Sequence, residues 1–200
     1  ENGRIEIGGV DIADISSDWL RRNIGMVLQE PFLFSRTLEE NIAIASGQEP
    51  EDGKDGEHSR LARVRSAARI ARLDETITHF AKGYDTFVGE RGVTLSVGQK
   101  QRTAIAQMLI RKPPIMVFDD SLSAVDAETD AEIRRALREN VGSATVILIA
   151  HRLTTLMHAD QILVMDQGRL VQRGTHEELL AQDGIYRQIF DLQVRQSGSR

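Results

Sequence analysis

A mainly parallel α/β sheet joined to an α-helical subdomain is the architecture the sequence predicts, on three observations. Over residues 113–174, short apolar strands alternate with amphipathic helices, the pattern of a sheet covered on both faces. Residues 30–112 are mostly helical in pattern and interrupt that alternation. The chain has 200 residues, 40% of them apolar, enough for one domain with a sizeable core. The predicted division is a sheet core over 1–29 and 113–174, a helical subdomain over 30–112, and closing helices over 175–200.

The elements follow from local chemistry. Arg4-Ile5-Glu6-Ile7 alternates polar and apolar, turns at Gly8-Gly9 and returns through Val10-Asp11-Ile12, a hairpin pattern. A helical turn over 17–22 precedes the strand Ile24-Gly25-Met26-Val27. Thr37-Leu38-Glu39-Glu40 has the spacing of a capping box and opens a helix through Ile44. Residues 46–60 are polar and glycine-punctuated and read as a solvated loop. Leu61, Val64, Ala68 and Ala71 then keep a helical period beneath a basic face of Arg60, Arg63, Arg65, Arg69 and Arg72, read as solvated rather than as a binding patch. Ser96-Val97-Gly98-Gln99 repeats the cap and starts a helix that Pro113-Pro114 stops. The strand 115–118, the helix 126–140 and the strand 145–150 come next. A strand over 161–165 turns at Gln167-Gly168 into 169–172, and helices near 176–182 and 185–195 close the chain.

Composition excludes several functions. Without cysteine there is no disulfide framework and no thiolate metal site. A net charge of −5 leaves no electrostatic footprint for nucleic acid. The longest apolar run, Val146 to Ala150, is five residues, too short to span a bilayer. His58, His79, His158 and His176 lack metal-ligand spacing and receive no role. The chain opens at Glu1 with neither Met nor a signal peptide and is read as part of something longer.

Ligands of open parallel sheets sit at the carboxyl ends of the strands. Three such ends carry polar groups: Gln29, Asp119-Asp120 and His151. Each alone also fits a turn former, a helix cap or a hydrogen-bonded structural residue. Leu95-Ser96-Val97-Gly98-Gln99-Lys100-Gln101-Arg102 adds a hydroxyl, a glycine and an amide at a helix N-terminus, where free N–H groups and the dipole attract phosphate.

With these residues in place, the chain closely resembles the nucleotide-binding domain of ABC transporters, over essentially its whole length. Leu95 to Gln99 resembles the signature, whose usual form is Leu-Ser-Gly-Gly-Gln, and Ile115 to Asp119 resembles the Walker B strand. Gln29 matches the Q-loop, Ser123-Ala124-Val125-Asp126 the D-loop, and His151 the switch histidine. Thr86 to Gly92, with Glu90 and Arg91, resembles the X-loop of exporters, and Pro31 to Phe34 followed by Thr37 to Ile42 resembles the exporter segment after the Q-loop.

The resemblance implies a P-loop NTPase core of the multidrug or lipid exporter type, with ATP and Mg²⁺ as cofactors. In it Asp119 and Gln29 serve the metal, and Asp120, Gln29 and His151 form the catalytic set. Ser96, Gly98 and Gln99 bind in trans the nucleotide held by a second nucleotide-binding domain, and Ser123 and Asp126 meet that domain. Glu90 and Arg91 face the coupling helices of a transmembrane domain, fused upstream or separate. The implied place is the cytoplasmic face of the cell membrane, with no direct bilayer insertion of this segment and no nucleic-acid partner.

Three departures shape the expectation. No Gly-x-x-x-x-Gly-Lys-Ser/Thr loop, the Walker A cradle for the β- and γ-phosphates, occurs in the sequence. It is expected before Glu1, so the 200 residues alone should bind ATP poorly and leave one sheet face uncovered. Asp120 stands where competent members carry Glu, which retracts the carboxylate by roughly 1.3–1.5 Å. Since about 1 Å of misplacement can cost ~10²-fold in rate, a slow site is expected, the degenerate half of a heterodimer whose partner is competent. Val97 replaces the first signature glycine and puts a Cβ near the phosphate. The alternatives are a regulatory ATP-binding module with negligible hydrolysis and a DNA-repair or chromosome ATPase. The last requires a long coiled-coil insertion, whereas Gln29 and Ser96 lie 67 residues apart without sustained heptads.

Overall fold

The computed structural model describes residues 3–46, 56–89, 94–122 and 124–197. The chain divides into two compact units, Glu1–Ile149 and Ala150–Arg200.

The first unit opens with the hairpin β1 (Glu6–Ile7) and β2 (Val10–Asp11). Gly8 and Gly9 both take positive φ, +58° and +83°, as a two-residue hairpin turn of the right hand demands. Ser16 caps α1 (Ser17–Asn23) by accepting from the N–H of Trp19. The sheet is parallel, in the order β3 (Ile24–Val27), β4 (Ile115–Asp119), β5 (Thr145–Ile149). Its helices are α2 (Leu38–Ala43), α3 (Gly56–Ile70), α4 (Asp74–Thr78), α5 (Val97–Leu109) and α6 (Ala127–Asn140).

One continuous apolar core holds this unit together. Val27 and Phe118 of the sheet pack in the same cluster as Ile42, Val64, Ile105 and Ile133 from four helices, so the helices of residues 30–112 and the sheet share buried surface. β3 and α5 approach closely, because a Cβ on Gly25 would lie 2.6 Å from Met108 Cγ. Other apolar side chains of the sheet stay exposed, among them Met26, Ile147 and Ile149.

α3 begins at Gly56, where a loop through residue 60 was expected. Polar residues and a glycine hid the first turn, whose helical state is held by the apolar side of Leu61, Val64 and Ala68 further on. The rest of that expected loop, 47–55, lies outside the described residues. α4 carries no side-chain cap and is too short to show a period.

The second unit contains α7 (Leu153–Leu156), the antiparallel pair β6 (Ile162–Asp166) and β7 (Arg169–Gly174), α8 (His176–Leu180) and α9 (Ile185–Ser197). Its own core is Leu153, Ile162, Leu179 and Tyr186. His176 Nδ1 shares a 2.7 Å hydrogen bond with the Tyr186 hydroxyl, whose pKa burial raises. Among the described residues no helix is long and apolar enough to cross a membrane.

Candidate functional site

Parallel pairing brings polar residues to one edge of the sheet. β3 and β4 are in register from Ile24↔Ile115 to Val27↔Phe118, and Asp119 still pairs with Ile149 of β5. Gln29 therefore leaves β3 at the same edge where Asp119 ends β4. The Asp120 N–H extends the ladder by donating to the Ile149 carbonyl at 2.9 Å, while its φ of +46° turns the chain out of the strand. Aspartate tolerates that left-handed conformation better than most residues. Asp119 and Asp120 are partly buried, and Gln29 is exposed.

The mouth of α5 faces solvent. Ser96 Oγ accepts from the Gln99 N–H at 3.2 Å, and Gln99 Oε1 accepts from the Ser96 N–H at 2.9 Å. Ser96 is exposed, and Val97 is 60% exposed. A helix leaves its first amides without intrahelical partners, and the reciprocal cap engages those of Ser96 and Gln99, so Val97 and Gly98 present the remaining donors. A Cβ on Gly98 would lie 3.1 Å from the Ala124 carbonyl oxygen. Glycine here lets α5 sit against the segment leading to α6.

Asp126 caps α6. Its carboxylate accepts from the Thr129 N–H at 2.9 Å and hydroxyl at 2.8 Å, and these bonds hold its pKa below the usual carboxylate range. Arg102 of α5 is half-buried and donates to the Arg72 carbonyl at 2.5 Å. Burial lowers its pKa, and the charge of Asp126 opposes that shift.

The segment after Gln29 is organised by Asn41, whose part is not evident from sequence alone. Asn41 is fully buried and brackets the chain, accepting from the Phe34 N–H at 2.9 Å and donating to the carbonyls of Phe34 and Thr37 at 3.0 and 2.9 Å. Backbone bonds from Leu38 to Thr86 and from Val88 to Arg36 join this segment to the stretch before residue 90. Between β3 and α5 lies a groove of about 340 Å³, whose lining includes Met26, Phe32, Phe34, Ile44, Met108 and Arg111. Phe32 is 72% exposed there and meets Phe34 edge to face.

Gln29, Asp119, Asp120, Ser96, Gly98, Gln99 and Asp126 all belong to the first unit, the first three at the strand ends and the others at the mouths of α5 and α6. His151 belongs to the second unit, where its carbonyl accepts from Gln193 Nε2 at 2.7 Å and Gln193 Oε1 accepts from the Leu153 N–H. Glu90, Arg91 and Ser123 lie outside the described residues. Asn41, Gln101 and Arg102 had no assigned part: Asn41 bonds a loop seven residues upstream, and Gln101 and Arg102 bond backbone 72 and 30 residues away. A polar residue at a core position of a helical period was the one available signal.

These donors suit a magnesium-bound polyphosphate. Mg²⁺ binds through one or two carboxylates, with waters and substrate phosphates completing its octahedron. Asp119 beside Gln29 matches that sparse set, and among the described residues there is no cluster of three or more His, Asp or Glu that would hold a cation alone. The two amides at the mouth of α5 match a phosphate.

Comparison with known proteins gives concordant results. The family model described as ABC transporter matches residues 1–123. The chain is 44% identical over 199 residues to the uncharacterized ABC transporter ATP-binding protein YfiB of Bacillus subtilis, covering 100% of this chain and 33% of that protein. It is 43% identical over 195 residues to the ATM1-type heavy metal exporter of Novosphingobium aromaticivorans, covering 98% and 30%. The solved structure of a bacterial Atm1-family ABC exporter with ATP bound superposes with a TM-score of 0.86 at 42% identity, covering 96% of this chain and 32% of that one. The chain thus spans about a third of the length of these relatives. With more than half of its residues inside the family model, and a parallel sheet whose strand ends carry the expected amide and acids, the chain belongs to the ABC transporter family.

Proposed function

We propose that this chain is the ATP-binding and ATP-hydrolysing part of an exporter, working on the cytoplasmic face of a membrane as one half of a nucleotide-binding pair. The observation that carries the reading is that one compact unit bears both a strand edge with Gln29, Asp119 and Asp120 and a separate, solvent-facing helix mouth at Ser96. Two different surfaces for one triphosphate suit a site completed by a second copy or relative. The exporter relatives and the ATP-bound neighbour support the substrate class.

Bound Mg²⁺–ATP supplies the electrophilic phosphorus and neutralises part of its charge, leaving the protein mainly positioning and electrostatics. Asp119 and Gln29 would hold the metal, and Gln29 would sense the γ-phosphate. Asp120 would accept a proton from the attacking water; His151, in the second unit, carries the switch-histidine role toward the γ-phosphate that the resemblance implies. Ser96, Gly98 and Gln99 clasp the nucleotide of the partner domain, while Ser123 and Asp126 meet that domain. The groove lined by Met26, Phe32, Phe34 and Ile44, beside the stretch leading to Glu90 and Arg91, receives an apolar helix of the transmembrane domain.

Asp120 favours a slow site within a heterodimer, and carried further it favours a regulatory module that binds ATP with negligible turnover. Turnover of the assembled pair distinguishes them. Asp120→Glu raises hydrolysis by about 10²-fold at this site, read with the partner site silenced by its own Glu→Gln change. If that silenced pair already turns over at the wild-type rate, Asp120 is a working base and the slow-site reading is wrong.

A further inference from the structure

Three side chains of α5, and Arg111 just past its end, reach across to the backbone of other segments, and all but one do so for a plain structural reason. Arg111 donates to the carbonyls of Arg21 and Arg22 in the last turn of α1, and Gln107 to that of Asn41 in the last turn of α2. Arg102 donates to that of Arg72, just past α3. Helix ends leave carbonyls without partners, and these side chains satisfy them from partly exposed positions.

Gln101 is the exception. It is 1% exposed, and its Nε2 donates to the carbonyl of Gln29, 72 residues away in the loop leaving β3, at 3.3 Å. Its Oε1 is buried without a hydrogen-bond partner among the described residues. An orphaned buried acceptor costs at least as much as one long hydrogen bond returns. An apolar residue of the same length would serve the core equally well, among neighbours such as Ala104 and Ile105. Stability therefore does not account for this amide.

We propose that Gln101 is a positioning residue that ties the Gln29 loop to α5, so that movement of Gln29 at the strand edge shifts Ser96 and Gly98 at the helix mouth. This rests on the reading given under Proposed function. A nucleotide held by this chain is sensed through Gln29, and one turn of α5 separates Gln101 from the cap that clasps the partner's nucleotide. The tie thereby links the occupancy of one site to the geometry of the other.

The test uses the assembled transporter carrying this chain, with kcat and KM for ATP and the melting temperature measured on each variant. Gln101→Met keeps the volume and removes the donor. The expected result is a melting temperature equal to or above wild type, KM within about twofold, and kcat lower on the order of 10-fold. Gln101→Asn keeps the amide but falls one methylene short, and should match Gln101→Met in kcat. Wild-type kcat in both variants overturns the proposal, as does a kcat loss that appears only with a lowered melting temperature, which marks a packing residue. Asp119→Asn, read as the residual turnover with the partner's site silenced by its own Glu→Gln change, is the control for the underlying reading. If it abolishes that residual turnover while Gln101→Met leaves kcat of the assembled transporter unchanged, the tie is wrong and the ATPase reading stands; if the residual turnover is unaltered, both fall.

Discussion

At the start of α2, Thr37 Oγ1 accepts from the Glu40 N–H while Glu40 Oε2 accepts from the Thr37 N–H; at the start of α5, Ser96 and Gln99 exchange the same two bonds. The geometry is one and the charge is not. Glu40 lays a carboxylate over the positive end of its helix, its pKa lowered chiefly by the Thr37 N–H, and Glu39 adds a second acid in that turn. The first turn of α5 holds no acid, so Gln99 satisfies the amides while leaving the positive field in place. α8 repeats the acidic version with Thr175 and Glu178. Of these three boxes, one is chemically open to an anion, and it carries the residues that resemble the signature.

The largest effect should come from equalising the two mouths. Gln99→Glu keeps the box and cancels the field, so ATP turnover of the assembled protein falls on the order of 10- to 100-fold with the melting temperature nearly unchanged. The reciprocal Glu40→Gln leaves turnover at the wild-type level. Equal turnover in Gln99→Glu and wild type would dissolve the distinction between the mouths.

Gly98→Ala is the next step down. Its Cβ presses on the Ala124 carbonyl at 3.1 Å, so the segment before α6 must give by a few tenths of an ångström. Turnover should fall about 10-fold, with a small drop in melting temperature. Thr37→Ala, by contrast, removes a cap that does only structural work. About 1 kcal/mol is lost, or ~2–4 °C in melting temperature for a chain of this size, with KM for ATP unaltered.

The smallest effect is in acid. Glu40 and Asp126 both have pKa values lowered by folding, so each stabilises the fold above its unfolded pKa and loses that contribution as pH falls through the folded one. Thermal melts below about pH 4 should show the wild type losing more stability than Glu40→Gln, and the α5 cap, having no titrating group, should contribute nothing to that slope.

The caps were legible because they are local: Ser, Thr, Glu and Gln three residues apart specify both partners of each bond. The parallel strands were legible for the same reason, as short apolar runs between turn signals. What could not be read depends on partners that only the folded chain brings alongside, near in sequence or far. Asn41 looks like one more helix residue until the loop at Phe34 folds over it, and Gln101 belongs to a helical period without announcing that its partner is a carbonyl 72 residues earlier. The start of α3 was obscured by glycine and polar residues that favour a loop when judged alone.

Asp120 sits at a φ of +46°, in a region that short polar side chains enter more readily than longer or branched ones. Reach toward a water and ease of the backbone therefore pull this position in opposite directions. A mutational route from aspartate to glutamate gains the missing ångström and surrenders conformational comfort in the same step. Rate and foldedness at this one position therefore trade against each other, and a swap that speeds the chemistry is expected to lower the melting temperature slightly.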